Sequence, residues 1–361
     1  MLTLWSKLRR LGVVGLNARN HSYVMKYNRR ESYPLVDDKL LTKRLAIAAG
    51  IAVPRLYGAV ATQHDLAKLP EILGNHKEFV IKPAHGSGGE GVLVIDGKRK
   101  ELYVKPDGRA LSLDEIKYHA SNILSGIYSL GGIPDSAMIE YRVRVNPILD
   151  PISYRGVPDV RLLVFRGVPA MAMIRLPTRY SDGKANLHQG AVGVGIDIAS
   201  GVTVDGVFQS RVVQEHPDFG VLLGGLQIPD WEAMLELGAR CYDLTGLGYM
   251  GVDIVLDRVR GPMILEINAR PGLAIQIANQ SGLQGRLDCI EALDEIPADP
   301  KERVRLSVEL FGAKEAPPSP PPSPASGRGS SADVEEELVI GAAPKQPPLP
   351  PAGEGGGEGG P

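Results

Sequence analysis

A glycine-rich stretch around residue 88 constrains the fold of this chain more than any other feature. The segment "VIKPAHGSGGEGVLVI", residues 80–95, contains the pattern G-x-G-x-x-G at Gly86, Gly88 and Gly91. A dinucleotide-binding fold requires a helix after these glycines, because the helix N-terminus holds the pyrophosphate. Here a strand-like "VLVI" follows, then "DG", which predicts a hairpin turn, and "ELYV", which predicts the returning strand. The context excludes a dinucleotide site and predicts a glycine flap between two strands.

The same stretch does not satisfy the requirements of two other phosphate-binding motifs. No G-K-[ST] closes the loop, as a P-loop requires. A protein kinase has its lysine on a later strand and needs H-R-D, which this sequence lacks. Lys82 instead ends the strand before the glycines, where its amino group can reach nucleotide phosphates under the backbone N–H groups of the flap. A plain hairpin turn stays open as the alternative from this stretch alone.

A second candidate site lies in "GYMGVDIVLDRVRGPMILEINARPGLA", residues 248–274. Two apolar strands, "GVDIVLD" and "MILEIN", are joined by the turn "RVRG", and alternation places Glu266 and Asn268 on one face of the second strand. Asp253 can lie opposite them across an antiparallel pair. Carboxylate and amide oxygens suit Mg²⁺ shared with phosphate, and burying carboxylates without a cation would be costly. Arg270 follows in a loop, where it could hold a second anion.

Overall composition excludes several other classes of protein. The chain has 40 basic and 42 acidic residues, so no global field predicts nucleic-acid binding. Its two cysteines, Cys241 and Cys289, support neither a disulfide framework nor a zinc site, which favours a cytoplasmic protein. No apolar run reaches the ~18–20 residues of a membrane span.

The two ends of the chain differ in composition from the middle. Residues 1–36 form a basic arm with Leu4, Leu8 and Leu11 at helical spacing. This pattern favours a surface helix that packs its leucines on the body, with contact to anionic lipid or to a partner as the alternative. Residues 313–361 are rich in proline and glycine, cannot bury a core, and are predicted to be a disordered tail.

Strand-like runs with interspersed cations separate the two candidate sites. They are "MIEYRVRV" (138–145), "DVRLLVF" (159–165), "AMAMIRLP" (170–177) and "GKANLHQGAVGVGI" (183–196). Their polar residues include Arg161, Arg175, Lys184, Asn186 and His188. Several cations on one sheet face would suit phosphates and a carboxylate, and we assign no metal role to His188.

Five motifs of this sequence resemble those of the ATP-grasp superfamily and occur in the same order. They are the lysine with the glycine flap, the strand-ending acid, D-x-R, N-L-H-x-G and D…E-x-N. More narrowly, residues 37–283 resemble the α-L-glutamate ligases that modify the C-terminus of a ribosomal protein, and the related uncharacterised branch. The resemblance implies an α+β ATP-grasp fold over residues 37–312, with two sheet-and-helix lobes that grip ATP between them. The first lobe, 37–136, would carry the flap, and the second, 137–312, the metal site.

The resemblance also implies roles for individual residues. Lys39 and Lys82 match the lysines that contact ATP phosphates, and the phosphate-covering flap is matched by Ser87, Gly88 and Gly89. The adenine-reading hinge is matched by Glu140, Tyr141 and Arg142. Asp253, Glu266 and Asn268 match the ligands of two Mg²⁺ ions, with Mn²⁺ as an alternative ion. Arg161, Arg175 and Asn186 match positions near the phosphates and the acceptor carboxylate, and with Arg270 they complete the predicted catalytic set.

The implied activity is an ATP-dependent carboxylate–amine ligation through an acylphosphate, adding glutamate or another amino acid to a peptide or small molecule. Two alternatives stay open: a phosphotransferase or sugar-transfer associated protein of the same fold, and an inactive nucleotide-binding scaffold. Intact Lys82, Asp253, Glu266 and Asn268 argue against the scaffold.

Three departures from the related ligases bear on the substrate. Those ligases carry a full lobe before the first lysine, whereas 38 residues precede Lys39 here, so we expect a truncated N-terminal region and substrate contacts from a protein partner or homodimer. The hinge continues "YRVRVNP" without an acid beneath the ribose. Residues 202–231 form an inserted segment similar to one in the α-L-glutamate ligase-related branch and in ATP-grasp proteins associated with sugar transfer.

Overall fold

The computed structural model of the protein describes residues 4–86, 88–129 and 131–312. Ser87 and the predicted disordered tail, 313–361, therefore lie outside the described residues. Strands β1 to β7 are Leu56–Val60, Phe79–Pro83, Leu93–Ile95, Gly97–Arg99, Leu102–Val104, Ala110–Leu111 and Ala137–Glu140. Strands β8 to β14 are Asp159–Phe165, Val168–Leu176, Val192–Ile196, Thr203–Phe208, Arg211–Val213, Tyr249–Asp257 and Gly261–Asn268.

The helices flank these strands and precede them. Helices α1 to α6 are Leu4–Arg10, Leu16–Ala18, Met25–Tyr27, Pro34–Asp37, Lys39–Ala48 and Leu69–Leu73. Helices α7 to α11 are Leu113–Leu124, Trp231–Thr245, Ala274–Ala278, Gln284–Glu291 and Pro300–Phe311. In the described ranges, none of them is long and apolar enough to cross a membrane.

A four-stranded antiparallel sheet carries the glycine flap. Its strand order is β1-β7-β2-β3, and the flap connects β2 to β3. Helix α7 begins with a capping box, in which the Ser112 hydroxyl and the Glu115 carboxylate each bind the other residue's backbone N–H. Its apolar face buries Ile116 and Ile123 against Phe79 of β2. This packing holds β2 in place, so that the strand presents Lys82 beside the flap.

The predicted hairpin turn at "DG" is wrong. Strand β3 pairs with β2, and the chain then leaves this sheet to form a separate three-stranded sheet of order β4-β5-β6. Gly97 lies inside β4 opposite Val104 of β5, so it cannot be part of the turn. The reversal occurs instead at Lys100, which has a positive φ of 52°. Strand pairing has overridden the local preference of Asp-Gly for a turn.

A seven-stranded antiparallel sheet carries the second candidate site. Its order is β12-β11-β10-β9-β8-β13-β14, and β11 and β12 come from the inserted segment at 202–231. One face packs on α8, where Gly238 brings the helix backbone close to the Leu162 side chain of β8. The opposite face carries Asp159 and Arg161, because alternate residues of β8 point to opposite sides.

The N-terminal segment, defined as residues 14–36, packs on this opposite face through Val14, Tyr23 and Val24, whereas Val36 near its end joins the core on the α8 side. Tyr23 is 2% exposed, and its ring stacks on Tyr249 at 5.7 Å and meets the edge of Phe165 at 5.6 Å. The preceding amphipathic pattern does form helix α1, but Leu11 just after it is 67% exposed. Residues 14–36 thus belong to the folded body rather than to a free arm.

The strand predicted over 138–145 is shorter than expected. Strand β7 ends at Glu140, and the Tyr141 N–H donates to the Arg55 carbonyl at 2.8 Å, outside the sheet ladders. This ending turns the following residues away from the sheet and toward the cavity described below.

Helix α5, which carries Lys39 and Lys43, depends on a side-chain cap. Asp38 accepts hydrogen bonds from the N–H groups of Leu40 and Leu41 at 2.8 and 3.1 Å. We expect Asp38→Ala to lower the free energy of unfolding by about 0.5–2 kcal/mol, because it leaves these donors without a partner. Urea denaturation measures the change. The matched control is Asp37→Ala at an exposed neighbour, and an equal loss in both variants would contradict the role of the cap.

Candidate active site

One cavity of about 1130 Å³ is lined by residues of both sheets. Every predicted site residue that the structure describes lines it: Lys39, Lys82, Gly88, Gly89, Glu140, Tyr141, Arg142, Arg161, Arg175, Asn186, Asp253, Glu266, Asn268 and Arg270. Ser87 alone of the predicted set is outside the described residues. The residues come from positions as far apart as 39 and 270, so the fold brings both candidate sites of the sequence into one place.

The wall formed by the four-stranded sheet contains a buried carboxylate between two lysines. Glu140 lies 2.6 Å from the Lys82 amino group and 2.8 Å from that of Lys43, and its side chain is 3% exposed. Lys43 also donates to the Pro54 carbonyl at 2.6 Å. Burial alone would raise the pKa of Glu140, but the two lysines outweigh it and hold that pKa below its ordinary value. Glu140 is therefore an ionised anchor for Lys82.

Lys43 was missed by the sequence reasoning. A signal was present, because Lys39 and Lys43 are four residues apart on α5 and so lie on one face of the helix. Burial lowers the pKa of Lys43 to about 8, despite the opposing attraction of Glu140. The charge of Lys82 adds to the lowering.

Lys39 links the flap to the predicted metal site. Its amino group donates to the Gly86 carbonyl at 2.5 Å and lies 3.6 Å from a carboxylate oxygen of Glu266. The glycine flap and the seven-stranded sheet are thus both in contact with the amino group of Lys39.

The wall formed by the seven-stranded sheet contains a buried network of two arginines and two aspartates. Arg161 and Asp253 are opposite each other in the β8–β13 register, and Asp159 and Arg175 are opposite in the β8–β9 register. Arg161 donates to both oxygens of Asp253, one of them at 2.8 Å. Arg175 donates to Asp159 at 2.5 and 2.7 Å and to Asp253 at 2.8 Å. Each arginine is therefore oriented by a two-point contact.

The protonation of the two aspartates differs because their partners differ. Burial would raise the pKa of Asp253, but Arg161 and Arg175 outweigh it and lower the pKa. Burial raises the pKa of Asp159 to about 6, opposed by Arg175 and reinforced by the charge of Asp253. Sequence reasoning missed Asp159, although it is the first residue of the D-x-R pattern that contains Arg161.

The three predicted metal ligands share this wall. Asp253 pairs with Glu266 in the β13–β14 register, as the alternation predicted, and Asn268 is two residues further along the strand. The Glu266 side chain is 32% exposed, so water can solvate its carboxylate and burial alone does not require a metal ion to neutralise the charge. Among the described residues, no three His, Cys, Asp or Glu side chains form a metal-binding group. A metal site here would therefore need the Asn268 side chain as a third ligand beside Asp253 and Glu266.

These donors fit Mg²⁺ in kind. Glu266 and Asn268 line the cavity, and their side chains carry the oxygen donors that Mg²⁺ prefers. Asp253 is engaged by arginines, but each carboxylate oxygen has two lone pairs and can accept a further partner.

The other predicted residues also line the cavity. The Tyr141 hydroxyl donates to Asp257 at 3.0 Å, and Arg142 pairs with Asp96 at 2.9 Å. The Asn186 side chain accepts from the His188 N–H at 3.0 Å and so begins a short 3₁₀ helix. Arg270 lies with its guanidinium carbon 4.5 Å from the centre of the Tyr33 ring.

A contact across the cavity holds the flap near the second wall. Lys184 lies 3.1 Å from a carboxylate oxygen of Glu90, which follows the flap glycines. Gly88 approaches the side chain of Gln189 from the same side. Gly88 and Gly89 have φ angles of 63° and 79°, which explains why glycine is needed there.

Comparison with known protein families assigns the class of protein. The family model described as sugar-transfer associated ATP-grasp matches residues 18–292. The chain therefore belongs to the sugar-transfer associated ATP-grasp family, which confirms the predicted superfamily and its α+β fold. The narrower resemblance to α-L-glutamate ligases stays a prediction. No curated protein matches the chain.

Solved structures of ATP-grasp enzymes are similar at low identity. The ATP-grasp ligase PsnB with its minimal precursor is 16% identical with a TM-score of 0.39, over 74% of this chain and 63% of PsnB. The Bacillus anthracis D-alanine–D-alanine ligase with ATP is 15% identical with a TM-score of 0.39, over 78% and 67%. D-cycloserine synthetase DcsG is 16% identical with a TM-score of 0.40, over 75% and 71%. The family assignment rests on the family model alone.

The lysine–glutamate–lysine cluster predicts an unequal response to mutation. Glu140→Gln would leave two buried lysines without a counter-charge, and we expect it to cost about 3–5 kcal/mol of unfolding free energy. Lys43→Met leaves the Lys82–Glu140 pair intact and should cost about 1–3 kcal/mol. Urea denaturation at pH 7 compares the two variants. A larger loss for Lys43→Met would show that Glu140 is not the centre of the cluster.

The lowered pKa of Lys43 predicts a pH dependence of stability. Between about pH 8 and pH 10.5 the unfolded chain keeps this proton while the folded protein has lost it. The unfolding free energy of the wild type should therefore rise with pH relative to Lys43→Met, by at most about 1.4 kcal/mol per pH unit. Measurements at pH 7.5 and 9.5 test this.

Lys26→Met is the matched control for that experiment. A hydrogen bond to Glu291 raises the pKa of the exposed Lys26, so this lysine stays protonated in both states over the window and its difference from wild type should stay flat. A Lys43→Met difference that falls with pH would contradict the lowered pKa.

Proposed function

We propose that this protein is an ATP-dependent ligase that phosphorylates a carboxylate and couples it to an amine. The observation that carries the proposal is the convergence of the fourteen described candidate residues on one cavity. Its volume, about 1130 Å³, exceeds the range of about 300–1,000 Å³ usual for a single small-molecule site. This size supports a site for a nucleotide and a second substrate together.

In this proposal, the first wall and the flap hold the nucleotide. Lys82 and Lys39 are cations at the base of the flap, and both suit phosphate oxygens. Gly88 and Gly89 have positive φ angles, which suit a loop whose backbone N–H groups cover phosphates. Val143 and Val255 form a buried apolar cluster with Tyr141 close by, which suits a flat, apolar adenine ring.

The second wall is proposed to act on the transferred phosphoryl group. Glu266, Asn268 and Asp253 would hold Mg²⁺, which supplies charge neutralisation for the phosphate oxygens when bound. Arg161 and Arg175 are fixed by their aspartates, so they need no rearrangement to stabilise charge that develops during transfer.

The reaction would proceed in two steps. A carboxylate oxygen of the acceptor attacks the γ-phosphorus, the bond to the β-phosphate oxygen breaks, and ADP leaves. An amine nitrogen then attacks the acyl carbon, the carbon–oxygen bond breaks, and phosphate leaves while the nitrogen gives up a proton. The Lys184–Glu90 contact that holds the flap near the second wall would keep water from the acylphosphate.

The finer identity of the substrates is part of the proposal. We infer that Arg270 binds a carboxylate or phosphate of the second substrate, and that the amine is an amino acid such as glutamate. A protein partner or a second subunit that contributes substrate contacts is also part of this hypothesis.

A second candidate function is favoured by the family match. Sugar-transfer association suggests transfer of the γ-phosphoryl group to a hydroxyl, with a stable phosphorylated product instead of an amide. The same cavity residues would serve this reaction, so only the products distinguish the two.

ADP release by purified protein with ATP and Mg²⁺ tests the function. We expect stimulation by one of the twenty amino acids, and formation of a hydroxamate when hydroxylamine replaces the amine. Glu266→Ala should lower the rate by at least about 10²-fold, because a charge-stabilising group is lost.

Glu309→Ala, at an exposed position of α11, is the matched control and should keep the wild-type rate. ADP release without hydroxamate, but with a phosphorylated hydroxyl product, would favour the second function. Absence of both products in the presence of bound ATP would contradict catalysis.

A further inference from the structure

The N-terminal segment grips the loop that carries Arg270. Asn28 donates from its amide nitrogen to the Ala269 carbonyl at 2.9 Å. Arg19 donates to the Pro271 carbonyl at 2.8 Å. The two carbonyls on either side of Arg270 are therefore bound by side chains from more than 200 residues earlier in the chain.

Further hydrogen bonds fix Asn28 and tie the N-terminal segment to the chain just after the loop. Asn28 is 5% exposed, and its amide also donates to the Tyr249 carbonyl and accepts from the Tyr249 N–H. Gln276 of α9, the helix that follows the gripped loop, exchanges two hydrogen bonds with the backbone of Val14 at 2.8 and 3.1 Å. The segment is thus tied to the loop at several points, which makes the position of Arg270 depend on it.

Tyr33 of the same segment supports the guanidinium of Arg270. The guanidinium carbon lies 4.5 Å from the ring centre, which is the geometry of a cation–π contact. A guanidinium with one face on a ring still offers N–H donors at its edge. Arg270 lines the cavity, so an anion there could be bound by those donors.

Arg19 adds a second, unneutralised charge close to Arg270. It is 8% exposed and donates to Asn20 and to the Pro271 carbonyl, neither of which is charged. Within the described ranges, no carboxylate forms an ion pair with Arg19 or with Arg270. Burial lowers the pKa of Arg19, and the charge of Arg270 contributes to the lowering. Two neighbouring guanidiniums that no described carboxylate neutralises make this end of the cavity favourable for an oxyanion.

We propose that Arg19, Asn28 and Tyr33 are positioning residues that hold Arg270 as the binding group for an oxyanion of the second substrate. This inference rests on the proposed function of the cavity and adds a role for the N-terminal segment. Carboxylate and phosphate share the relevant chemistry, which is a planar or tetrahedral oxyanion that accepts hydrogen bonds from the guanidinium edge.

The test is a calorimetric titration of inorganic phosphate into protein saturated with ADP and Mg²⁺. Arg270→Ala should remove most of the phosphate affinity. Tyr33→Leu should weaken it by about three- to tenfold, since it removes the cation–π support. Tyr33→Phe keeps the ring and should stay within about twofold of the wild type.

Arg19→Lys supplies an independent variant in case Tyr33→Leu disturbs folding. It keeps the charge but loses the guanidinium fork that reaches both Asn20 and Pro271, so phosphate should again bind several-fold more weakly. Tyr118→Leu, at an exposed tyrosine of α7, is the matched control and should bind phosphate like the wild type. Affinity for ADP with Mg²⁺ should be equal in all variants.

The outcomes separate this inference from the proposed function. Failure of the wild type to bind ADP would overturn the proposed function and this inference with it. Normal ADP binding with phosphate affinity that ignores Arg270→Ala would overturn the oxyanion site alone. Dependence on Arg270 with no effect of Tyr33→Leu or Arg19→Lys would overturn the positioning role. Competition by acetate would assign the site to carboxylates, and its absence would assign it to phosphoryl groups.

Discussion

The pairing of two buried aspartates with two arginines is the constraint on which the site depends. Asp159, Arg161, Arg175 and Asp253 lie on three adjacent interior strands of the seven-stranded sheet, β9, β8 and β13. An unpaired buried charge costs several kcal/mol, so each of these residues requires its partner. Because the partners are opposite each other in the strand register, a shift of one residue would move them to opposite faces of the sheet. The register of the sheet therefore determines the geometry of the site.

The opposite wall applies the same rule with different residues. Glu140 lies between Lys43 and Lys82, as Asp253 lies between two arginines. In both cases a buried carboxylate fixes cations that line the cavity, Lys82 on one wall and Arg161 and Arg175 on the other. Fixed cations suit a polyphosphate ligand, because they attract its negative charge and their side chains are already ordered, so binding costs little further conformational entropy. The ion pairs thus stabilise the fold and prepare the cavity for an anion.

Short-range patterns in the sequence predicted the parts of the site that local geometry determines. Strand alternation placed Asp253 opposite Glu266, because the hairpin β13–β14 is local in sequence. The Asp-Gly turn was wrong, because the pairing of β3 with β2 determines where the chain reverses, and pairing is not a local property. The spacing of Lys43 from Lys39 and the D-x-R pattern marked Lys43 and Asp159, but their partners Glu140 and Arg175 come close only in the folded chain. For the same reason no sequence pattern could show that Arg19 contacts Pro271, 252 residues away.

Hydrogen exchange with and without ATP and Mg²⁺ tests most directly whether this cavity is the nucleotide site. Bound nucleotide should slow exchange at the flap and β2–β3, residues 79–95, at residues 137–145, and at the β13–β14 hairpin, residues 249–268. The helix α11, Pro300–Phe311, should exchange at the same rate in both conditions. Protection in these three regions together would support one site formed by both sheets. Unchanged exchange there, or protection confined to another surface, would contradict the account.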